Sequence, residues 1–258
     1  VPLGIQSFNP RHLRVLGRIH ADTEARRAAE LAAIHFDTFN LDLMFALPGQ
    51  TLAEAMADID TALAFQPPHL SAYHLTLEPN TPFGHAAPPN LPDDDLAADM
   101  QQSIEARLAE AGMQHYETSA YARPNHASRH NLNYWQFGDY LGIGAGAHAK
   151  ITDTDGITRL WKVKQPRAFL ETAGTAAVLG GEQRLDGNDV AFEFMLNALR
   201  LTQGFSPMLF AERSGLPSAA IESALARGAA RGLVEYNHET IRPTALGRRF
   251  LNELVALF

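Results

Sequence analysis

The 258-residue sequence contains no cysteine. Disulfide bonds, zinc sites built from thiolates and an iron–sulfur cluster held by cysteine are therefore excluded in this chain. Basic residues are also few, since 21 Lys and Arg stand against 29 Asp and Glu, giving a net charge of -8. This acidic balance argues against general binding to nucleic acid or to anionic membranes, which requires a basic surface.

Long apolar runs are missing as well. None reaches the roughly 18–20 residues that a membrane span needs, and residues 1–4 lack the basic and apolar regions of a signal peptide. Hydrophobic residues still make up 46% of the sequence, which is enough for a sizeable core, so we expect a cytoplasmic globular protein. Residues 3–8 look like a buried strand with no lead-in, which predicts further sequence upstream.

The first third of the chain alternates apolar, strand-like segments with helical periodicity. Strands are expected at 3–8, 39–47 and 69–77, and helices at 23–35 and 52–65. Thr51 and Glu54 form a capping box at the start of the second helix. This alternation predicts βαβ units and an α/β fold with a parallel sheet, open or closed as a barrel.

The pattern then changes. We expect a Pro-rich loop at 82–92, a helix at 93–112, an edge strand at 115–121 and a hairpin at 153–164 that turns at Asp155-Gly156. The later segments predict helices at 190–201, 206–214, 218–231 and 244–258, with a β-ribbon at 232–236 and 240–242.

That last order of elements is typical of a winged helix. Seven Asp and Glu balance seven Arg over residues 188–258, which favours a packing or interaction module over DNA binding. We therefore predict two domains, residues 1–187 with the sheet and its extension, and residues 188–258 as a helical, winged-helix-like domain.

Three polar residues of the first part could hold a ligand. Gln6, Arg18 and Asp42 offer an amide, a guanidinium and a carboxylate, and ligands gather at the carboxyl ends of parallel strands. Such a set could hold a ribose and a carboxylate group. The alternative is structural, because a Gln on a strand can face solvent and an Asp between leucines can cap a neighbouring helix.

The segment His-Asn-Leu-Asn-Tyr-Trp at 130–135 is the most informative part of the chain. His130 and Tyr134 are four residues apart, so a helix would place them on one face, whereas an irregular loop would leave that open. Small residues fill the nearby run 142–148, which lacks the spacing of a dinucleotide fingerprint and instead indicates close packing. A metal ligand, aromatic walls and a small-residue backbone together suit a flat ligand such as a porphyrin.

These and other segments make the chain similar to the HemW family, heme chaperones of the radical S-adenosylmethionine (SAM) superfamily that are related to oxygen-independent coproporphyrinogen III oxidases. The matching segments run in family order over more than half of the chain. They are LGIQSF (3–8), LGRIH (16–20), NLDLM (40–44), LPGQT (47–51), LTLEPNTPFG (75–84), YETSAYA (116–122), HNLNYW (130–135) and GDYLGIGAGAH (138–148).

The resemblance implies the C-terminal portion of a partial (βα)6 radical SAM barrel, followed by a small helical domain. It implies that Gln6, Arg18 and Asp42 belong to a SAM site. It also implies that the HNxxY motif, here His130, Asn131 and Tyr134, binds heme, although His126 or His148 could supply the axial ligand instead.

The main departure from the family is the missing CxxxCxxC cluster loop, together with the first three barrel strands. The [4Fe–4S] cluster and SAM are therefore cofactors of the full-length family protein, and we expect no catalytic residue in this chain. The favoured function is a heme-binding chaperone that transfers heme to client proteins. The alternatives are an oxygen-independent coproporphyrinogen III oxidase and an inactive scaffold.

The expected partners follow from that function. They are heme and heme-receiving clients, without nucleic acid, and with membrane contact only through the clients. A partial barrel exposes an unpaired strand edge, which predicts self-association.

Overall fold

The computed structural model describes residues 1–258 and divides into two compact units, Val1–Ser128 and Arg129–Phe258. The predicted domain boundary between residues 187 and 188 lies inside the second unit and stays a prediction. None of the helices is both long and apolar enough to cross a membrane.

The first unit is built on a five-stranded sheet in the order β1-β2-β3-β5-β4, with the first three strands parallel. Its strands are Pro2–Gln6 (β1), Asn40–Phe45 (β2), His69–His74 (β3), Gln114–Glu117 (β4) and Ala120–Ala122 (β5). Its helices are Pro10–Val15 (α1), Asp22–His35 (α2), Leu52–Ala64 (α3), Pro82–His85 (α4) and Asp94–Glu110 (α5).

Apolar residues that alternate along the parallel strands fill the core of this unit. Leu41 and Leu43 of β2 are buried with Ile59 of α3 and Ile104 of α5. Because side chains alternate along a strand, the intervening residues of β2 lie on the opposite, polar face.

The predicted capping box is present at the start of α3. The Oγ1 atom of Thr51 accepts a hydrogen bond from the Glu54 backbone N–H at 3.2 Å, and Glu54 Oε2 accepts one from the Thr51 N–H at 2.9 Å. The backbone hydrogen bond from Thr51, joined by Arg11, lowers the pKa of Glu54 to about 2. The local sequence therefore sets where this helix begins.

The second unit contains a three-stranded antiparallel sheet in the order β6-β7-β8 and a two-stranded ribbon. Its strands are His148–Asp153 (β6), Gly156–Lys162 (β7), Leu179–Arg184 (β8), Val234–Tyr236 (β9) and Ile241–Pro243 (β10). Its α-helices are Arg129–Trp135 (α6), Pro166–Thr172 (α7), Gly187–Ala198 (α8), Pro207–Ser214 (α9), Ala219–Ala230 (α10), Ala245–Arg249 (α11) and Leu251–Val255 (α12).

The core of this unit is aromatic at its centre. The ring of Phe194 on α8 makes edge contacts with the rings of Phe137, Phe205 and Phe210 at centroid distances of 5.0 to 5.6 Å. The predicted winged-helix order of helices and ribbon is therefore folded around α8.

Several elements differ from the sequence prediction. The expected single strand at 115–121 is a tight antiparallel pair, β4 and β5. The β6–β7 turn is Thr154-Asp155 rather than Asp155-Gly156, since Asp153 pairs with Gly156. The expected helix at 244–258 breaks at Phe250 into α11 and α12.

Candidate functional site

The HNxxY segment forms helix α6, so His130 and Tyr134 share one face of a helix. Their rings meet edge to face, with centroids 4.8 Å apart and planes at 78°. Leu132 and Trp135 pack against the core of the second unit. The helical spacing therefore turns Leu132 and Trp135 towards the core, whereas His130 and Tyr134 share another face of the helix.

His130 is exposed, and its ring nitrogens make no hydrogen bond. Asn131 beside it is half-buried. Tyr134 is also half-buried, and its ring lies 4.5 Å from the ring of Tyr140. A continuous row of three rings, His130, Tyr134 and Tyr140, therefore ends in an imidazole that is free to bind a metal.

Tyr140 is fixed at both its backbone and its side chain. Its backbone exchanges two hydrogen bonds of 3.1 Å with Lys150 of β6. Its phenol oxygen accepts a hydrogen bond of 2.5 Å from Nη1 of Arg159, whose Nε donates to Glu193 on α8 at 2.8 Å. The strand β7 and the helix α8 thus hold Tyr140 in place.

Lys150 anchors the loop that carries Tyr140. Its buried ammonium lies 4.2 Å from the centroid of the Phe137 ring and donates to Asp139 at 2.7 Å. Burial lowers the pKa of Lys150. Burial alone would raise the pKa of Asp139, but hydrogen bonds from Lys150 and Thr152 hold it below its usual value.

The end of α6 is closed by backbone geometry that the sequence alone did not reveal. Phe137 adopts a left-handed conformation with φ of 57°. A Cβ atom at Gly138 would overlap the side chain of Asn133, which itself donates to the carbonyl of Asp139 at 2.9 Å. Asn133, a variable position of the motif, therefore links the helix to the anchored loop.

The run 142–148 is packed closely only at Gly142; a Cβ atom at Gly144 would meet nothing within 4 Å, so the predicted close packing is wrong there, and that glycine instead accommodates a positive φ of 106°. A Cβ atom at Gly142 would overlap the backbone of His148, so glycine is required there. The side chains of Leu141 and Ile143 on either side are 76% and 89% exposed. Two large apolar side chains therefore project into solvent in the loop that follows Tyr140.

In the first unit, the structure places Gln6 and Asp42 on the polar face of the parallel sheet. Gln6 ends β1 with φ of 68°, and its Nε2 folds back to within 2.9 Å of where a Cβ on Gly4 would lie. Asp42 Oδ1 accepts a hydrogen bond of 2.7 Å from Asn40. Arg18 lies in the exposed turn after α1, where the structure gives its side chain no contact with Gln6 or Asp42.

A buried hydrogen-bond chain that no sequence motif indicated leads to Asn40, the residue that donates to Asp42. His69 Nδ1 lies 2.7 Å from Oδ1 of Asn40, and its Nε2 lies 2.8 Å from the hydroxyl of Tyr116. An amide oxygen can only accept, so Nδ1 carries the proton and the Tyr116 hydroxyl donates to Nε2. Burial lowers the pKa of His69 to about 4, which keeps the ring neutral.

The relatives found by comparison with known proteins are heme chaperones. The HemN C-terminal domain family matches residues 185–250. The chain is 44% identical to the heme chaperone HemW of Escherichia coli, covering 100% of this chain and 68% of that protein. The identity to the heme chaperone HemW of Haemophilus influenzae is 43%, with coverage of 100% and 67%, and to that of Bacillus subtilis 32%, with coverage of 99% and 68%. The chain thus spans about two thirds of the length of these relatives.

Among solved structures, the chain is similar to coproporphyrinogen III oxidase (HemN) from Escherichia coli, a radical SAM enzyme. The TM-score is 0.77 at 20% identity, covering 99% of this chain and 63% of that one. This likeness confirms the predicted fold class, part of a radical SAM barrel followed by a helical domain. At this identity it carries information on the fold alone.

Proposed function

Because the chain belongs to the HemW family of heme chaperones, we propose that it binds heme on the exposed face of α6 and transfers it to client proteins. The observation that carries this proposal is the exposed imidazole of His130, with unbonded ring nitrogens, in edge contact with Tyr134. An imidazole nitrogen is a common axial ligand of heme iron, and aromatic rings stack well on a flat macrocycle.

The same geometry suits transfer rather than permanent storage. His130 stands on an exposed helix face rather than in a closed pocket, so heme bound there would keep its other axial side open to a ligand from a client. No covalent bond changes in this exchange. Asn131 contributes an amide beside the imidazole in this proposal, and Tyr134 contributes the stacking surface.

We further propose that Gln6 and Asp42 are the part of a SAM site that this chain supplies, with Arg18 as its outer member. The polar face fits such a ligand, because a carboxylate held by Asn40 can accept hydrogen bonds from ribose hydroxyls. In the full-length family, SAM bound at a [4Fe–4S] cluster supplies electron-transfer chemistry. These 258 residues contain no cysteine that could hold that cluster.

A cytoplasmic location, the absence of nucleic-acid partners and contact with membranes only through clients stay predictions. The oxidase alternative is supported by the shared fold with HemN and by the match to the HemN C-terminal domain family, neither of which assigns a substrate.

Heme titration followed at the Soret band tests the proposal. We expect a saturable shift, and we expect His130→Ala to remove one equivalent of bound heme. His238→Ala is the matched control, because that histidine side chain is 90% exposed in the second unit and lies 3.7 Å from the Glu239 carboxylate, outside the HNxxY helix. Equal binding by the wild type and His130→Ala would contradict the assignment of the HNxxY motif.

A further inference from the structure

The polar face of the first sheet carries a continuous line of side-chain hydrogen bonds. Asn40 and His69 are register partners on the adjacent strands β2 and β3, and Asp42 lies two residues beyond Asn40 on the same face. The line runs from Asp42 through Asn40 and His69 to Tyr116, and its steps are 2.7, 2.7 and 2.8 Å long. We call these four side chains the His69 relay.

The direction of each hydrogen bond in the relay follows from the carboxylate at one end. A carboxylate only accepts, so the Nδ2 amide group of Asn40 faces Asp42 and its Oδ1 atom faces His69. That oxygen also only accepts, so His69 carries its proton on Nδ1 and leaves Nε2 as the acceptor for the Tyr116 hydroxyl. The relay therefore has one consistent polarity from the carboxylate to the phenol.

Two donors outside the relay hold this polarity in place. The Ser128 N–H donates to the Tyr116 hydroxyl at 3.3 Å, which leaves the proton of that hydroxyl to point at His69. Ser71 Oγ donates a second hydrogen bond to Oδ1 of Asn40 at 3.2 Å. A reversed amide would set its NH2 group against both of its donors and its oxygen against the carboxylate, so the observed direction is favoured.

Burial keeps the central imidazole in the form that the relay requires. His69 is buried, and this desolvation lowers its pKa to about 4. A neutral ring has one donor and one acceptor nitrogen, whereas an imidazolium would set a second N–H against the Tyr116 hydroxyl. At neutral pH the fold therefore offers Asn40 a donor of fixed direction.

The consequence for Asp42 is a carboxylate that is oriented before any ligand is bound. Asn40 occupies one acceptor position of the carboxylate and thereby limits its rotation. A side chain held in advance loses less rotamer freedom when it accepts hydrogen bonds from a ligand. We infer that His69 is a positioning residue of the proposed SAM site, where it acts through Asn40 to orient Asp42 towards the ribose hydroxyls. This inference rests on that proposed site.

The tautomer of His69 tests the relay in the protein alone. Nitrogen NMR of the imidazole ring at neutral pH distinguishes a proton on Nδ1 from a proton on Nε2. We expect the proton on Nδ1, because Asn40 offers only an acceptor to that atom. A proton on Nε2 in the wild type would overturn the relay.

Nucleoside binding, followed by titration, tests the positioning role. Adenosine and dideoxyadenosine carry the same base, but only adenosine has the ribose hydroxyls that Asp42 would accept from. We expect His69→Leu to weaken adenosine binding by roughly 2- to 12-fold, the range for one hydrogen bond, and to leave dideoxyadenosine binding unchanged. His69→Gln keeps a side-chain donor, so its affinity for adenosine should lie closer to that of the wild type.

Two further variants separate positioning from a general loss of stability. Ile104→Val is the control, because that buried side chain lies in the core on the other face of the sheet, and we expect neither affinity to change. Tyr116→Phe keeps an aromatic ring and removes only the donor to Nε2 of His69, so we expect weaker adenosine binding and unchanged dideoxyadenosine binding. Circular dichroism checks the fold of each variant.

The failure of this inference and that of the proposed site give different results. Unchanged adenosine affinity in both His69→Leu and Tyr116→Phe would overturn the positioning role and leave the proposed SAM site standing. Equal losses for the two nucleosides would show a structural role for His69 and would also overturn the inference. If the wild type binds no adenosine, the proposed site itself is wrong, and the inference falls with it.

Discussion

Lowering the pH should destabilise the first unit through a single buried side chain, His69. The ring is 6% exposed and is held between Asn40 and Tyr116 in its neutral form. Protonation would place a second N–H against the Tyr116 hydroxyl and a positive charge in a buried site. The folded state therefore resists a proton that the unfolded chain accepts readily.

The size of the effect follows from the two pKa values. The pKa of His69 falls from 6.5 in the unfolded chain to about 4 in the folded state. At about 1.36 kcal/mol per pKa unit, this gap corresponds to about 3 kcal/mol. Because the folded pKa is the lower one, stability is lost as the pH falls from about 6.5 to about 4, and about 2 kcal/mol is lost by about pH 5.

Urea unfolding at about pH 7.5 and about pH 5 measures this loss, with His69→Gln as the comparison. Gln retains a donor and an acceptor but does not titrate, so the free energy of unfolding of the variant should fall by about 2 kcal/mol less than that of the wild type. His12 and Asp58, whose pKa values are also shifted by burial, titrate in both proteins and cancel in the difference. A His69 imidazole that titrates near pH 6.5 by NMR, or equal losses in both proteins, would refute the reasoning.

Three further perturbations test other parts of the structure. Thr51→Ala removes the cap of α3 and should lower the free energy of unfolding by about 1 kcal/mol in urea, whereas Thr51→Ser should retain most of it. Lys150→Met keeps the packing on Phe137 but removes a charge-assisted hydrogen bond, so we expect a loss of about 1–3 kcal/mol and faster proteolysis in the loop 138–147. The outer edge of β1 has no strand beside it, so we expect the chain to self-associate as its concentration rises. A monomer at every concentration in size-exclusion chromatography with light scattering would contradict this prediction.

Elements with local signals were predictable from the sequence. Helix α3 was expected at 52–65 and is Leu52–Ala64, because Thr51 and Glu54 fix its start through their own hydrogen bonds. Strand β2 was expected at 39–47 and ends earlier, at Phe45, because Ala46 adopts a left-handed conformation with φ of 57°. Periodicity reveals the type of an element, whereas such a backbone turn is set by the tertiary fold.

Elements without an apolar pattern of their own were missed. Strand β8 is Leu-Gly-Gly-Glu-Gln-Arg, and nearly all of its residues are exposed. It carries no alternation, and it is a strand because its backbone pairs with β7. A single-sequence pattern has no means of detecting such a strand, since the ordering interaction comes from a neighbour.

In the candidate site, too, local features were predictable from the sequence and long-range contacts were not. The spacing of His130 and Tyr134 predicts a shared helical face, which the structure has. The contribution of Tyr140 was not predictable, because it depends on Arg159, whose guanidinium is in turn held by a residue 34 positions away, Glu193. Motif spacing indicates which side chains share an element, and long-range contacts decide what fixes them.

These long-range contacts also bear on how heme would be bound. The loop after α6 is anchored by Lys150 over the ring of Phe137, and Phe137 packs on Phe194 at the centre of the core. The ring of Tyr134 thus meets Tyr140 on a support that is already fixed by the core. Little side-chain freedom remains to be lost when a flat ligand is bound, which lowers the entropic cost of binding and allows an exposed site to bind heme without enclosing it.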